Sequence, residues 1–218
     1  MVSKTYIHII IILIISFFYA YSGYSQGVSN RKVEDLPWKY ALRIGGSYDI
    51  ISLQQGADYK FGYKAGVVAE KRLIYNLYFQ PSLSFVKKGY TYNLPYYSKR
   101  DVNAQMIELV GSLMIKFGDE RKSRGLFLST SPYISYGVGG ETKTTDLRSV
   151  ADNYGTINEA TFSKTMMKSM DIGFQVGLGY DINKNFELGG TYIFGLQSIL
   201  RTANFMWRGY QFHLSYFF

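Results

Sequence analysis

The chain has 218 residues, which fits one domain, and it contains no cysteine. This excludes disulfides, thiol catalysis, thiolate metal sites and lipid attachment through an N-terminal cysteine. The formal net charge is +8, and 21 Tyr, 15 Phe and 22 Gly stand against only 4 Pro. Such a composition favours strands over helices and points to an all-β fold.

The first residues have the layout of a secretory signal peptide. Lys4 supplies a positive charge, an almost unbroken apolar run follows from Tyr6 to Ala20, and small residues come next. The run is short for a membrane-spanning helix, although a retained N-terminal anchor is the alternative interpretation. We predict cleavage after Ser25, with Ser22 as the other candidate. The predicted division is a signal peptide at 1–25, an N-terminal periplasmic segment at 26–37 and a barrel domain at 38–218.

From Trp38 onward the dominant pattern is an alternation of apolar and polar residues with a period of two. This period is typical of β-strands that bury one face. In the first segment Trp38, Tyr40, Leu42 and Ile44 alternate with small or polar residues. Eight such segments occur, and no other stretch competes as a helix. In chain order they begin at Trp38, Tyr59, Leu77, Ile107, Leu126, Ile172, Phe186 and Tyr210.

The links between these segments alternate between long and short. Outer-membrane barrels have an even number of strands, long outer loops and short periplasmic turns. The sequence therefore predicts an all-β, eight-stranded antiparallel up-and-down transmembrane β-barrel in the cell outer membrane. The long links, all expected on the outer side, are 51–58, 89–103, 141–165 and 197–205, and the short ones are 71–76, 118–124 and 181–185.

The two faces of the predicted strands differ in a way that indicates which one meets lipid. The apolar face is bulky and aromatic, whereas the other face mixes Gly and Ser with charged residues. Because an eight-stranded barrel is just wide enough for side chains to fill, small residues and paired charges suit its interior. We therefore predict an apolar face turned outward; a soluble periplasmic barrel with the apolar face inward is the alternative. Aromatic residues near segment ends that suit a membrane interface are Trp38, Tyr48, Tyr59, Tyr180 and Trp207.

Several strand motifs resemble one known family. The stretches LYFQPSLSFVKKGY (77–90), IELVGSLMIKFG (107–118), GFQVGLGYDINKNFELGGTYIFGL (173–196) and YQFHLSYFF (210–218) resemble the PorT-like outer-membrane β-barrel family of Bacteroidota. The resemblance implies an outer-membrane barrel without an assigned activity. It also implies that the terminal aromatic residue, Phe218, is the signal by which the barrel-assembly machinery recognises the chain.

Charged residues on the predicted inner face suggest two functions for the interior. They would form either an ion-conducting pathway or a salt-bridged plug, and we favour the plug because buried charges must be paired. A small porin-like transport channel remains the alternative. The interior charges predicted from this register are Lys39, Arg43, Lys60, Lys64, Glu70, Glu108, Lys116, Asp171 and Glu187.

No residue pattern predicts catalysis, a cofactor or a metal site. His213 lies on the predicted inner face of the last segment, where a lone histidine is more often a packing residue than a catalyst. The stretches GVGG (137–140) and GLG (177–179) lack the spacing of phosphate-binding loops. There is no EF-hand spacing, which leaves a carboxylate-only calcium site in the loops open.

We therefore expect a non-enzymatic protein with a structural, surface-interaction or accessory role in an envelope complex. Its expected partners are outer-membrane lipid, the barrel-assembly machinery, and envelope proteins or glycans that contact loops 89–103 and 141–165. The net positive charge could suggest a nucleic-acid partner, but the predicted export signal argues against one. The first of these loops is rich in aromatic and basic residues, namely Tyr90, Tyr92, Tyr96, Tyr97, Lys99 and Arg100.

Overall fold

A computed structural model of the chain describes residues 37–52, 56–94, 98–119, 124–146, 155–163, 166–200 and 205–218. The predicted signal peptide and almost all of the N-terminal segment lie outside the described residues, so these boundaries stay predictions. Within the described ranges, no helix is long and apolar enough to cross a membrane. The strands are β1 (Lys39–Ile51), β2 (Ala57–Ile74), β3 (Leu77–Leu94), β4 (Ser98–Asp119), β5 (Arg124–Asp146), β6 (Thr156–Ala160), β7 (Met170–Asp181), β8 (Phe186–Gly195) and β9 (Trp207–Phe217).

Eight of these strands close into a ring. Each strand pairs antiparallel with its neighbours, in the order β4-β3-β2-β1-β9-β8-β7-β5, and β4 pairs with β5 to complete the circle. The seam between the first and last strands runs from Ala41 opposite Phe217 to Ile51 opposite Trp207. The short strand β6 adds only to β5, outside the ring, as far as the described residues show. The predicted eight-stranded up-and-down barrel is confirmed.

The distribution of side chains is inverted relative to that of a soluble protein. Bulky apolar residues such as Phe61, Leu178 and Phe212 are 63–72% exposed on the outer surface, whereas Glu108 and Glu187 are at most 1% exposed inside. Exposed apolar surface on this scale is typical of a face that contacts lipid, because soluble monomers rarely show large apolar patches. The prediction that the apolar face points outward is confirmed.

Aromatic side chains form a belt on the outer surface near the end with the long links. Tyr48 stacks on Tyr59 at 4.8 Å between ring centroids, and Tyr210 lies 6.5 Å from Tyr59 and 4.9 Å from Tyr192. On β1, Tyr40 lies eight residues before Tyr48, about 26 Å along the strand or about 20 Å after a tilt near 40°. This height is close to the apolar band of an outer-membrane barrel, about 25 Å.

The predicted interfacial role is wrong for one of the five aromatic residues. Trp38, Tyr48, Tyr59 and Tyr180 are 38–47% exposed, but Trp207 is 1% exposed. Trp207 occupies an inward position of β9, on the same side as Gln211 and His213, so its ring lies within the barrel. A membrane-interface role requires an outward position. Side chains alternate along a strand, so residue 207, three positions from the outward Tyr210, faces inward.

The lengths of the strands correct the predicted loops. β4 has 22 residues and β5 has 23, about twice the 9–11 that a membrane-crossing strand needs. Much of the predicted loops 89–103 and 141–165 is therefore strand, because β3 continues to Leu94, β4 begins at Ser98 and β5 continues to Asp146. The alternation of polar and apolar residues weakens there because the outward face no longer needs to be apolar once the sheet leaves the membrane. The inward face still buries Tyr90, Val102 and Ala104.

These strand extensions form what we call the projecting sheet, made of residues 89–94, 98–104, 140–146 and 156–160. Its register continues that of the barrel, with Gly89 opposite Asn103 and Asn103 opposite Glu141. β7 begins at Met170 opposite Tyr136, so β5 leaves the ring beyond that residue. The projecting sheet lies at the same end as the other long links, away from the short turns.

Candidate functional site

The interior of the barrel contains two groups of buried charges. The first, which we call the Glu108 network, centres on a carboxylate that receives two ammonium groups. Lys64 Nζ lies 2.8 Å from Glu108 Oε1, and Lys88 Nζ lies 2.8 Å from Glu108 Oε2. The network extends to Gln211, whose side-chain oxygen accepts a hydrogen bond from Lys64 at 3.1 Å. All of these side chains are buried, so each charge depends on its protein partner for compensation.

The second group, the Glu187 network, lies nearer the short turns. Arg43 Nη2 donates to Glu187 Oε1 at 2.8 Å and to the side-chain oxygen of Gln80 at 2.6 Å. The amide of Gln80 in turn donates to Glu187 Oε2 at 2.9 Å. Lys116 Nζ lies 2.7 Å from Glu70 and 3.0 Å from Asp181. Six strands, namely β1, β2, β3, β4, β7 and β8, thereby contribute to this network across the barrel interior.

Most of the interior charges predicted from the sequence are confirmed, and two are wrong. Lys39 is exposed at the start of β1 and joins neither network. Lys60 is only partly buried and pairs with Asp101, at the base of the projecting sheet. The predicted charges that are buried or partly buried in the interior are Arg43, Lys64, Glu70, Glu108, Lys116, Asp171 and Glu187.

Two buried charges were missed by the sequence prediction. Lys88 is 1% exposed and Asp49 is 0% exposed. Lys88 was missed although it lies just before the predicted link at Gly89. It continues the inward alternation of Ser82 and Ser84. Asp49 follows Ser47 on the polar face of the first segment and could have been found by the same period. Both of its carboxylate oxygens lack a hydrogen-bond partner among the described residues.

An apolar cluster, which we call the lid, closes the interior at the end with the long links. Tyr90 and Trp207 meet edge to face, with ring centroids 5.9 Å apart. The segments after β6 and β8 fold over the mouth, where Met167 forms a bridge with Leu200 and the backbone N–H of Lys168 donates to Ile199 O at 2.8 Å. The buried members of the lid are Ile51, Tyr90, Val102, Ala104, Met106, Met167, Ile199 and Trp207.

Between the two charge networks lies a small cavity of about 20 Å³. This volume exceeds the 10–15 Å³ or so that one water molecule needs, but it is far from a continuous path through the barrel. The cavity is lined by Arg43, Lys64, Gln80, Ser82, Val110, Ser112, Met114, Phe127, Ser129, Gln175, Thr191, Gln211 and His213.

His213 faces the interior as predicted, but its surroundings do not form a nucleophile with a base. Its Nε2 atom lies 3.6 Å from Glu187 Oε1, beyond normal hydrogen-bond distance. The nearby hydroxyl of Ser215 donates to Glu187 at 3.2 Å and accepts from Arg43 at 2.8 Å, so it is not paired with the imidazole. Among the residues described, no group of three or more His, Cys, Asp or Glu side chains could hold a metal ion.

Comparison with solved structures returns small outer-membrane barrels from several bacteria. The chain is similar to Ail, the attachment invasion locus protein of Yersinia pestis, with 11% identity, a TM-score of 0.45, and coverage of 84% of this chain and 100% of that chain. Neisserial surface protein A gives 11% identity, a TM-score of 0.44 and the same coverage. At such identities and scores, the likeness carries no argument about function. Comparison with curated proteins finds no match.

The family comparison is more decisive. Residues 23–201 match the model described as "outer membrane protein beta-barrel domain". The match spans most of the chain and agrees with the closed ring, the outward apolar face and the aromatic belt. It points to the bacterial outer membrane. The chain belongs to the outer membrane protein beta-barrel domain family.

Proposed function

We propose that this protein is a non-enzymatic, non-conducting outer-membrane barrel with a structural or surface-interaction role. The observation that carries the proposal is that the interior is filled at two levels. Paired charges cross its middle, and the apolar lid closes the end with the long links. A porin-like channel needs a continuous aqueous path, whereas the cavity between the networks has room for about one water molecule.

Planar-bilayer recording tests this proposal. We expect the purified, refolded protein to give little stable conductance, because ions would have to displace Lys64, Glu108 and the lid side chains together. Detergent alone is the background control. Large, reproducible channels of uniform size would contradict the proposal and favour the small transport channel.

We place the interaction role on the projecting sheet. Its strands continue well past the length that the membrane requires, and their outer parts carry tyrosine together with basic side chains. Tyr92 and Arg100 are directly opposite each other on β3 and β4, and Lys143 lies opposite Asp101 on the next pair. Aromatic and basic groups of this kind suit contact with glycans or with envelope proteins.

Shortening the β3–β4 hairpin tests whether it is needed for binding without disturbing the fold of the barrel. Tyr90 pairs with Val102, so replacing residues 91–101 by a two-residue turn leaves the barrel register intact. We expect the shortened protein to fold normally but to lose binding to arrayed envelope glycans and cross-linking to neighbouring envelope proteins. A variant with Lys143→Gln alone is the milder comparison. Unchanged binding by the shortened protein would contradict a role for this hairpin.

Export and assembly form a separate part of the proposal. We propose that residues 1–25 direct export and that the last strand, ending at Phe218, is read by the barrel-assembly machinery. In support, β9 presents Tyr210, Phe212, Leu214 and Tyr216 on the outer face, and Phe218, the residue after this strand, is exposed. Removal of Phe218 should lower the fraction of protein that reaches the membrane in cells. Normal assembly of the shortened chain would contradict recognition through this residue.

A further inference from the structure

The cavity between the two charge networks has an unusual wall. Arg43 of the Glu187 network and Lys64 of the Glu108 network both line it, and the described wall contains no carboxylate. The acids that pair with these two cations, Glu187 and Glu108, do not reach the cavity. The residues that line this space therefore include two cations and no acid.

Four polar atoms of residues in this wall have no hydrogen-bond partner among the described residues: Ser82 Oγ, Thr191 Oγ1, Gln211 Nε2 and His213 Nε2. Ser82, Gln211 and His213 are at most 9% exposed. A buried polar group without a partner costs about 1–3 kcal/mol, so four such groups around one cavity indicate a guest that satisfies them. An amide nitrogen can only donate, both hydroxyls can rotate to donate, and a neutral imidazole can carry its proton on this nitrogen.

We propose that this cavity is a binding site for a small monovalent anion, of which chloride is the simplest. Such an ion accepts hydrogen bonds from donors of this kind, and the positive charges of Arg43 and Lys64, two of the lining residues, favour it. A water molecule also fits by size, and the hydroxyls of Ser82 and Thr191 can accept its hydrogens. The two cationic residues in the wall, with no acidic residue beside them, favour an anion over water. By touching side chains of both networks, the bound anion would tie them into one unit that crosses the barrel.

Crystals grown or soaked in bromide give the direct test, because bromide replaces chloride and scatters anomalously. We expect an anomalous peak within hydrogen-bond distance of Gln211 Nε2 and Thr191 Oγ1. Ordered water at this position, or bromide only at surface lysines as an adventitious ion, would overturn the proposal.

Stability in solution gives a second test that does not need crystals. The protein in detergent is unfolded by heat in sodium bromide and in sodium gluconate at equal ionic strength, after refolding in the same salt so that the site can fill. We expect a saturable rise in the unfolding temperature with bromide alone. Equal unfolding temperatures in the two salts at all concentrations would overturn the proposal.

Variants of the wall connect that effect to the cavity. Gln211→Glu keeps an oxygen for Lys64 but replaces the free donor by an acceptor. We expect it to weaken the halide effect by about tenfold or more, the loss typical of one hydrogen bond to a charged group. Thr191→Val conserves volume and removes one donor, which keeps the test decisive if the first variant does not fold. The control is Met114→Leu, which alters the wall without removing a donor and should retain the full bromide response. An unchanged response in Thr191→Val would overturn the assignment.

Discussion

Replacing Glu108 by glutamine should destabilise the barrel strongly. This carboxylate is the common partner of Lys64 and Lys88, each at 2.8 Å, and the three side chains are at most 5% exposed. The substitution preserves shape but removes the carboxylate that contacts both ammonium groups. Breaking a buried ion pair by removing one member costs about 3–5 kcal/mol. We therefore expect Glu108→Gln to lower the free energy of unfolding by at least that amount.

The control is a second ion pair that sits near the surface. Lys60 pairs with Asp101, and these side chains are 23% and 40% exposed. Exposed pairs contribute about 0–1 kcal/mol, so Asp101→Asn should have little effect. A double variant in which Glu108 and Lys64 both become methionine removes one whole ion pair and keeps Lys88, which also interacts electrostatically with the buried carboxylates of Asp49 and Asp171. Since apolar replacement of a whole buried ion group is often neutral, this variant should recover most of the lost stability.

Urea unfolding of the protein refolded into lipid vesicles measures these differences, with tryptophan fluorescence as the signal. Trp207 lies inside the lid and Trp38 lies outside, so unfolding changes the environment of both. The reasoning fails if Glu108→Gln and Asp101→Asn lose the same stability within about 1 kcal/mol. It also fails if the double methionine variant is as unstable as Glu108→Gln, because the loss would then not come from unpaired charge.

Two further substitutions test the sidedness of the barrel and the lid. Ile44→Arg, midway between the aromatic positions of β1, should cost about 2–4 kcal/mol in bilayers, whereas Tyr40→Arg at the interface should cost about 0–1 kcal/mol; equal costs in vesicle unfolding would contradict the assigned membrane position. Trp207→Ala removes a buried ring from the lid and should cost about 3–5 kcal/mol. Trp38→Ala, at a side chain that is 39% exposed, should cost much less, and the reverse order of unfolding midpoints would show that the lid contributes little.

The strand period of two made most of the fold predictable from the sequence. Alternation in the segments from Trp38 to Phe218 identified the eight ring strands and the outward face, because a one-residue shift would have reversed every side chain. The same pattern did not identify the strand extensions outside the membrane. Beyond Gly89 and Gly139 both faces of the sheet are outside lipid, so strand residues there need not alternate and were assigned to loops.

The interior was predictable in kind but not in detail. Counting inward positions brought Arg43, Glu108 and Glu187 to the same side of the sheet, but their pairing depends on the stagger of neighbouring strands. That stagger decides which lysine meets which carboxylate, and it is not encoded in the spacing along one strand. The lid was missed for a related reason. It combines inward strand residues such as Tyr90 and Val102 with residues of links far apart in sequence, such as Met167 and Ile199, and these links show no periodic pattern.

The seam between β1 and β9 has a consequence for the order in which the chain can assemble. Residues 41 and 217 are opposite each other, near the two ends of the barrel sequence, so the ring cannot close until β9 has been synthesised. Before that moment β1 and β8 each offer a row of unsatisfied N–H and C=O groups, which hydrocarbon cannot solvate. A chain that ends before Trp207 lacks β9 and would therefore have to bind other proteins that cover its open strand edges, because it cannot enter the bilayer as an open barrel.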